Sequence, residues 1–158
     1  MTFNHPYRRL HLIDPENLTG TPLPNFDSVA HCHKRYQELT HYGDADLSVI
    51  ACSHLAAKQV AFAWPSGLKL LRSGPDGADL ALLEALEREF VAGRFDELVL
   101  ASGDGIFTTE VSRLGSLGIP VTVVSRRNSL SLRLRLAARH VLYFDETDAV
   151  TSVLSMAV

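Results

Sequence analysis

The chain is short of the residues that give a protein an easy functional label. It has only two cysteines, Cys32 and Cys52, and they form no Cys-x-x-Cys pair. Neither a disulfide framework nor a zinc ribbon is suggested, and a reducing compartment fits. No run approaches the roughly 20 apolar residues of a membrane span, and the N-terminus, MTFNHPYRRLHLID, lacks the apolar run of about 7–15 residues found in a secretory signal. The expectation is a cytoplasmic protein with no membrane partner. Basic charge is also scarce: the formal net charge is −3, which does not advertise a nucleic-acid partner, although a local basic surface can sit on an acidic chain. Finally, no Gly-x-Gly-x-x-Gly follows the first apolar run, where the sequence reads DPENLTG. That counts against a dinucleotide cofactor.

What is present is an ordinary globular composition, 46% hydrophobic and 21% charged over 158 residues, enough for one domain with a real core across 1–158. Short apolar runs alternate with segments of helical character. The runs are RLHLID (9–14), DLSVIAC (46–52), GLKLLRS (67–73), DELVLAS (96–102), IPVTVVS (119–125) and, last, HVLYF (140–144). Such alternation predicts an α/β protein with an open parallel sheet covered on both faces, a three-layer arrangement. Helices are expected over 27–43, 53–65, 76–94, 108–118 and 129–138, with a further one at the C-terminus. Leu82, Leu86 and Phe90 mark the strongest of them by their four-residue spacing. The stretch 15–26, with three prolines, reads as the longest irregular piece.

In open parallel sheets, ligands sit beyond the carboxyl ends of the strands, near the point where strand order reverses. Three acids are placed there by the expected elements. Asp14 ends the first strand, Asp79 lies in the first turn of the helix after the third, and Asp104 follows the fourth in LASGDGIF. They are 65 and 25 residues apart along the chain. Converging carboxylates repel unless a cation is present, and hard oxygen donors suit Mg²⁺ or Mn²⁺. Each acid also has a plainer role, since Asp14 before Pro15 shapes a turn, Asp76 and Asp79 favour a helix N-terminus, and Asp104 between two glycines caps the next helix.

The segments LHLIDPENL, DGADLALLEAL, LVLASGDGIFTTEVSRLGSLGIPVTVVS and SLRLRLAARHVLYF resemble, in that order, the successive motifs of NYN domains, which are PIN-like nuclease domains with a Rossmann-like sheet. The resemblance runs over about residues 9–144. It implies a PIN-like fold and a Mg²⁺- or Mn²⁺-dependent ribonuclease in which Asp14, Asp79 and Asp104 are metal ligands and catalytic residues. Asn17 would line the site, Ser102 would support its loop, and RNA would be the partner. The chain departs from the family pattern where a second loop acid is common, because Asp104-Gly105 is followed by Ile106-Phe107. It also has Asp76-Gly77-Ala78-Asp79 where many relatives carry Lys-Gly-Val-Asp. Glu110, one helical turn beyond Ile106, is the candidate replacement for the missing carboxylate. A module that has lost cleavage through Ile106 but still binds RNA or a protein is the alternative. A metal-dependent phosphatase using the same acids is a third reading.

Arg126, Arg127, Arg133, Arg135 and Arg139 gather five of the fifteen basic residues within fourteen positions. Such an excess suits phosphate contacts, which supply most sequence-independent affinity for nucleic acid. The other reading is a solvated face that shields leucines with arginine stems. Arg126 and Arg127, directly after the fifth strand, are the two expected to meet RNA. His31 and His33 flank Cys32, but residues two apart on a helix point about 200° from one another, which argues against a shared zinc. An exposed edge strand, or the apolar C-terminal SVLSMAV, offers a surface for a homodimer.

Overall fold

The computed structural model describes residues 5–89 and 93–145. Six strands, β1 (Arg9–Ile13), β2 (Leu47–Cys52), β3 (Leu68–Leu71), β4 (Glu97–Ala101), β5 (Val121–Ser125) and β6 (His140–Tyr143), form one sheet in the order β3-β2-β1-β4-β5-β6. Every pairing is parallel. The order runs outward from β1 in both directions, so the switch point lies between β1 and β4, as in Rossmann-like sheets. The register is pinned by residue pairs such as Leu12 with Val49 on one side and with Leu100 on the other.

Parallel strands need crossover helices, and these cover both faces. Helices α4 (Gly77–Glu89), α5 (Thr108–Ser116) and α6 (Leu132–Ala137) pack Leu82, Leu86, Val111, Leu114 and Leu134 against Leu10, Leu12, Leu98, Leu100, Val121 and Val123. On the opposite face α1 (Pro15–Thr19), α2 (Phe26–Thr40) and α3 (Ala57–Ala63) bring Leu18, Val29, Tyr36, Val60 and Trp64 onto Ile13, Ile50, Cys52, Val99, Ala101 and Val124. The result is a single-domain, three-layer α/β fold. Leu12 and Leu100 are fully buried, and truncating either to alanine costs about 2–5 kcal/mol.

Two details differ from the sequence reading. The stretch expected to be irregular opens with a short helix, α1, because its local chemistry is that of a helix at both ends. Asp14 accepts from the amides of Glu16 and Asn17, Pro15 takes the first position, and Gly20 closes the last turn at φ 78. Helix α2 stops at His41, which takes the left-handed conformation itself (φ 49), and not at Gly43. The Gly43 amide instead donates to Asp46 Oδ2 at 2.9 Å. Helix α6 forms within the stretch expected to be helical, with Leu134 fully buried and Leu132 and Leu136 facing solvent. Phe90 and the expected C-terminal helix, with its SVLSMAV surface, lie outside the described residues. Among the described residues no helix is long and apolar enough to cross a membrane.

Candidate metal centre at the carboxyl edge

Asp14 reaches this edge because β1 does. Its amide donates to the Ala101 carbonyl at 3.0 Å, which ties the ends of β1 and β4 together across the switch point. Its carboxylate is buried, and Oδ1 accepts the amides of Glu16 (3.0 Å) and Asn17 (3.1 Å). Asp14 is therefore the N-cap of α1, with one oxygen committed to that task.

Asn17, brought round by α1, reaches β4's loop. Its side-chain oxygen accepts the Gly103 amide at 3.2 Å. Gly103 has no room for a side chain, since a Cβ there would lie 2.2 Å from the Ser129 carbonyl oxygen and 2.4 Å from Ser125 Oγ. The loop thus runs pressed between α1 and the segment after β5. Beside it, the fully buried Ser102 accepts the Asp104 amide on Oγ at 3.3 Å. Asp104 in turn accepts the Ile106 amide at 2.9 Å and caps the 3-10 turn Gly105–Phe107.

The third strand delivers its acids through a tight turn. Gly74 sits at φ 95 and Asp76 at φ 54, and the Asp76 carbonyl accepts the Leu80 amide at 2.9 Å to start α4. Asp79 then lies in the first turn of α4. Asp76, Asp79 and Asp104 each offer a carboxylate oxygen, and these atoms all lie within 4.8 Å of one another. Asp79 is only 8% exposed, and its Oδ1 has no hydrogen-bond partner.

The electrostatics follow from that crowding. Burial raises the Asp79 carboxyl to about 6, repulsion from Asp104, Asp76 and Glu16 adds to the rise, and hydrogen bonding from Ser102 opposes it. Asp14 is raised to about 7, chiefly by burial; the Asn17 amide pulls it back, and Asp79 and Glu16 push it further up. Glu16 is itself held at the site, with Oε1 accepting the Ser53 amide at 2.8 Å. Five carboxyl groups therefore share this edge, and a buried acid with an oxygen left over is the kind of group a hard divalent cation satisfies. The donor set fits Mg²⁺ or Mn²⁺ and lacks the nitrogen or sulfur ligands of a zinc site.

Of the residues expected from the sequence, Asp79 and Asp104 meet directly. Asp14 lies outside the trio of Asp76, Asp79 and Asp104, and Asp79 adds to the rise of its carboxyl. Asn17 and Ser102 brace the loop that carries Asp104. Glu110, the candidate replacement acid, is spent on Arg113 at 2.9 Å. Asp76 takes a place in the trio that helix-capping logic alone did not assign to it, and Glu16 joins through α1. Both carried weak signals: an acid beside a glycine-rich turn, and an acid two residues after Asp14.

The two arginines are fastened into the fold. Arg126 donates through Nε to the Asn17 carbonyl at 2.9 Å, and its guanidinium crosses Gly20, where a Cβ would come within 2.8 Å of Cζ. It caps the C-terminal end of α1. Arg127 lays its guanidinium 3.9 Å from the centre of the Tyr143 ring, and its amide donates to Asp145 at 3.1 Å. Arg133, Arg135 and Arg139 are exposed. His33 stacks on Trp64 at 4.7 Å, while His31 is on the exposed face of α2. Tyr36 is buried, bonded to His11.

No family model matches the chain, and no curated protein matches it either. Among solved structures it is similar to a protein of unknown function from Vibrio parahaemolyticus, with 18% identity, 92% of this chain and 98% of that one covered, and a TM-score of 0.65. That likeness extends over nearly the whole of both chains and shows the shared Rossmann-like fold.

Proposed function

We propose that the protein is a metal-dependent endoribonuclease whose site is the acidic cluster at the switch point. Asp79 and Asp104 hold the ion, with Asp14 behind them. When bound, Mg²⁺ or Mn²⁺ supplies a polarised water and neutralises charge at the scissile phosphate. The chain's own residues set up the place for it. Asn17 and Ser102 fix the Asp104 loop, α1 carries the Asp14 cap, and the start of α4 aims Asp79 at the gap. Arg126 and Arg127 leave β5 one strand over from Asp104, where they add positive charge beside the path of a phosphate backbone. The choice of RNA rests on the motif resemblance to NYN domains.

The observation that carries the reading is the unpartnered, buried Oδ1 of Asp79 within a trio of carboxylates. Cys32 and Cys52, both buried and free, support the reading of a reducing, cytoplasmic compartment. Self-association is proposed through the edge strand β3, whose Leu68 and Leu71 are exposed. Sedimentation across a concentration series checks this.

A second reading, a module that binds RNA or a protein without cutting, is favoured by Ile106. This apolar residue is 37% exposed beside Asp104, so the loop brings no second acid. Cleavage of labelled single-stranded RNA with Mn²⁺, with Mg²⁺ and with EDTA separates the two, with Asp104→Asn run in parallel. Metal-dependent cutting that disappears in the variant supports the nuclease. RNA binding without cutting in any metal supports the module, and cutting by Asp104→Asn at the parental rate overturns the acidic-site assignment.

A further inference from the structure

Asp76 stands in a position that asks for glycine. Its φ of 54 lies in the left-handed region, which glycine enters without a steric clash and which, among residues with a side chain, asparagine and aspartate tolerate best. The backbone work of the residue, accepting the Leu80 amide to start α4, uses only its carbonyl. Among the described residues its carboxylate takes part in no hydrogen bond or ion pair with another side chain. What that carboxylate does have is position, within 4.8 Å of those of Asp79 and Asp104.

The loop after β4 brings one acid to this spot. Ile106 spends its amide on Asp104 and offers no charge, and Glu110 is paired with Arg113. An independent sign that the spot receives a ligand is Asp79, 92% buried with Oδ1 unpartnered. We infer that Asp76 is a ligand of the same divalent cation and replaces, from the opposite side of the switch point, the carboxylate that Ile106 does not supply. This rests on the metal-dependent reading above. It makes the trio Asp76, Asp79 and Asp104 the protein's contribution to an oxygen-rich shell, with Asp76 on the solvent side and Asp79 on the buried side. A small hard ion that keeps several waters suits such a shell.

The test is Mn²⁺ binding to the purified full chain, followed by electron paramagnetic resonance of the free ion and by the Mn²⁺-induced shift in Tm. The variants are Asp76→Gly, Asp76→Asn, Asp79→Asn and Glu110→Gln. Glycine and asparagine both accept the left-handed conformation, so these changes remove the carboxylate and keep the turn. Asp76→Gly is expected to raise the metal-free Tm while weakening Mn²⁺ binding at least about tenfold. Asp76→Asn is expected to show the same loss, and Glu110→Gln to bind like the parent. If both Asp76 variants bind Mn²⁺ as the parent does while Asp79→Asn does not, the metal centre stands and Asp76 is not its ligand. If the parent binds no Mn²⁺ at millimolar concentration, the inference and the metal-dependent reading both fall.

Discussion

The two edges of the sheet handle buried polarity in opposite ways. At the amino edge, Arg9 reaches Asp46 at 2.6 Å and also donates to the carbonyls of Thr40 and His41. His11, fully buried, places Nδ1 2.7 Å from the Tyr36 hydroxyl and Nε2 3.2 Å from Asp46. Burial pushes the Asp46 carboxyl up, but hydrogen bonds from Arg9 and the Gly43 amide outweigh it and hold the group below its usual value. At the carboxyl edge, acid faces acid, two carboxyls are raised, and Asp79 keeps an oxygen with nothing to accept from. Both edges carry buried charge. The satisfied network contributes to the fold, whereas the unsatisfied one costs stability, and it is this difference on which the proposed metal site rests.

The contrast is broken most severely at Asp46. Asp46→Ala leaves Arg9 and His11 without their shared acceptor and is expected to cost about 3–5 kcal/mol in urea unfolding, with Mn²⁺ affinity unchanged among the molecules that remain folded. The same kind of substitution at the other edge is expected to act in reverse. Asp79→Asn removes a charge that folding disfavours, so at pH 7.5 the metal-free protein gains about 2 kcal/mol, and the stabilisation by Mn²⁺ disappears. Loss of stability in metal-free Asp79→Asn would show that Asp79 is satisfied after all.

Next in size is the pH dependence, whose sign differs between the edges. Asp14 and Asp79 have folded values raised to about 7 and about 6. Their contribution is complete below the ordinary carboxyl value and is lost as pH rises through 6 to 7. His11 is lowered to about 4, first by burial. Its contribution is present above about pH 6.5 and is lost as pH falls toward 4. The two windows overlap between about pH 4 and 6.5, where two carboxyls oppose one imidazole, so metal-free stability is expected to fall as pH rises toward 7, and saturating Mn²⁺ should flatten that fall. A fall that Mn²⁺ leaves unchanged would mean that the ion does not act on this edge.

The smallest effect is expected at Arg126. Arg126→Ala removes one charged cap from α1, a loss of about 1 kcal/mol, and the paired change Arg126→Ala with Arg127→Ala weakens RNA binding and flattens its salt dependence. An unchanged salt slope would confine the two arginines to their structural contacts with Asn17 and Tyr143.

Much of the fold is legible in the sequence itself. The six apolar runs became the six strands because parallel strands buried on both faces have to be continuously apolar, as Val49–Cys52 and Leu98–Ala101 are. Asp14 and Asp104 were placed by the same logic, since a strand's last residue fixes where the next one emerges. The helix after Asp14 escapes a reading by periodicity, although Asp14, Pro15 and Gly20 spell its two ends, because five residues are too few to show a period. Asp76 was out of reach for a different reason: its direction depends on a left-handed backbone, which no pattern of residue types encodes. Nor does sequence order hint that Arg126 crosses Gly20, a contact made only when β5 and α1 are neighbours in space.

The switch point has one more consequence. Asp76 and Asp79 are carried by the turn and helix that follow β3, Asp104 by the loop after β4, and the sheet joins those halves along the β1–β4 seam alone. Neither half holds more than part of the cluster. On the proposed metal-dependent reading, affinity for a divalent ion arises only when the seam has closed, which would make the ion a chronometer of folding: during refolding its uptake should coincide with the slowest, longest-range step of assembly and not with the formation of helices.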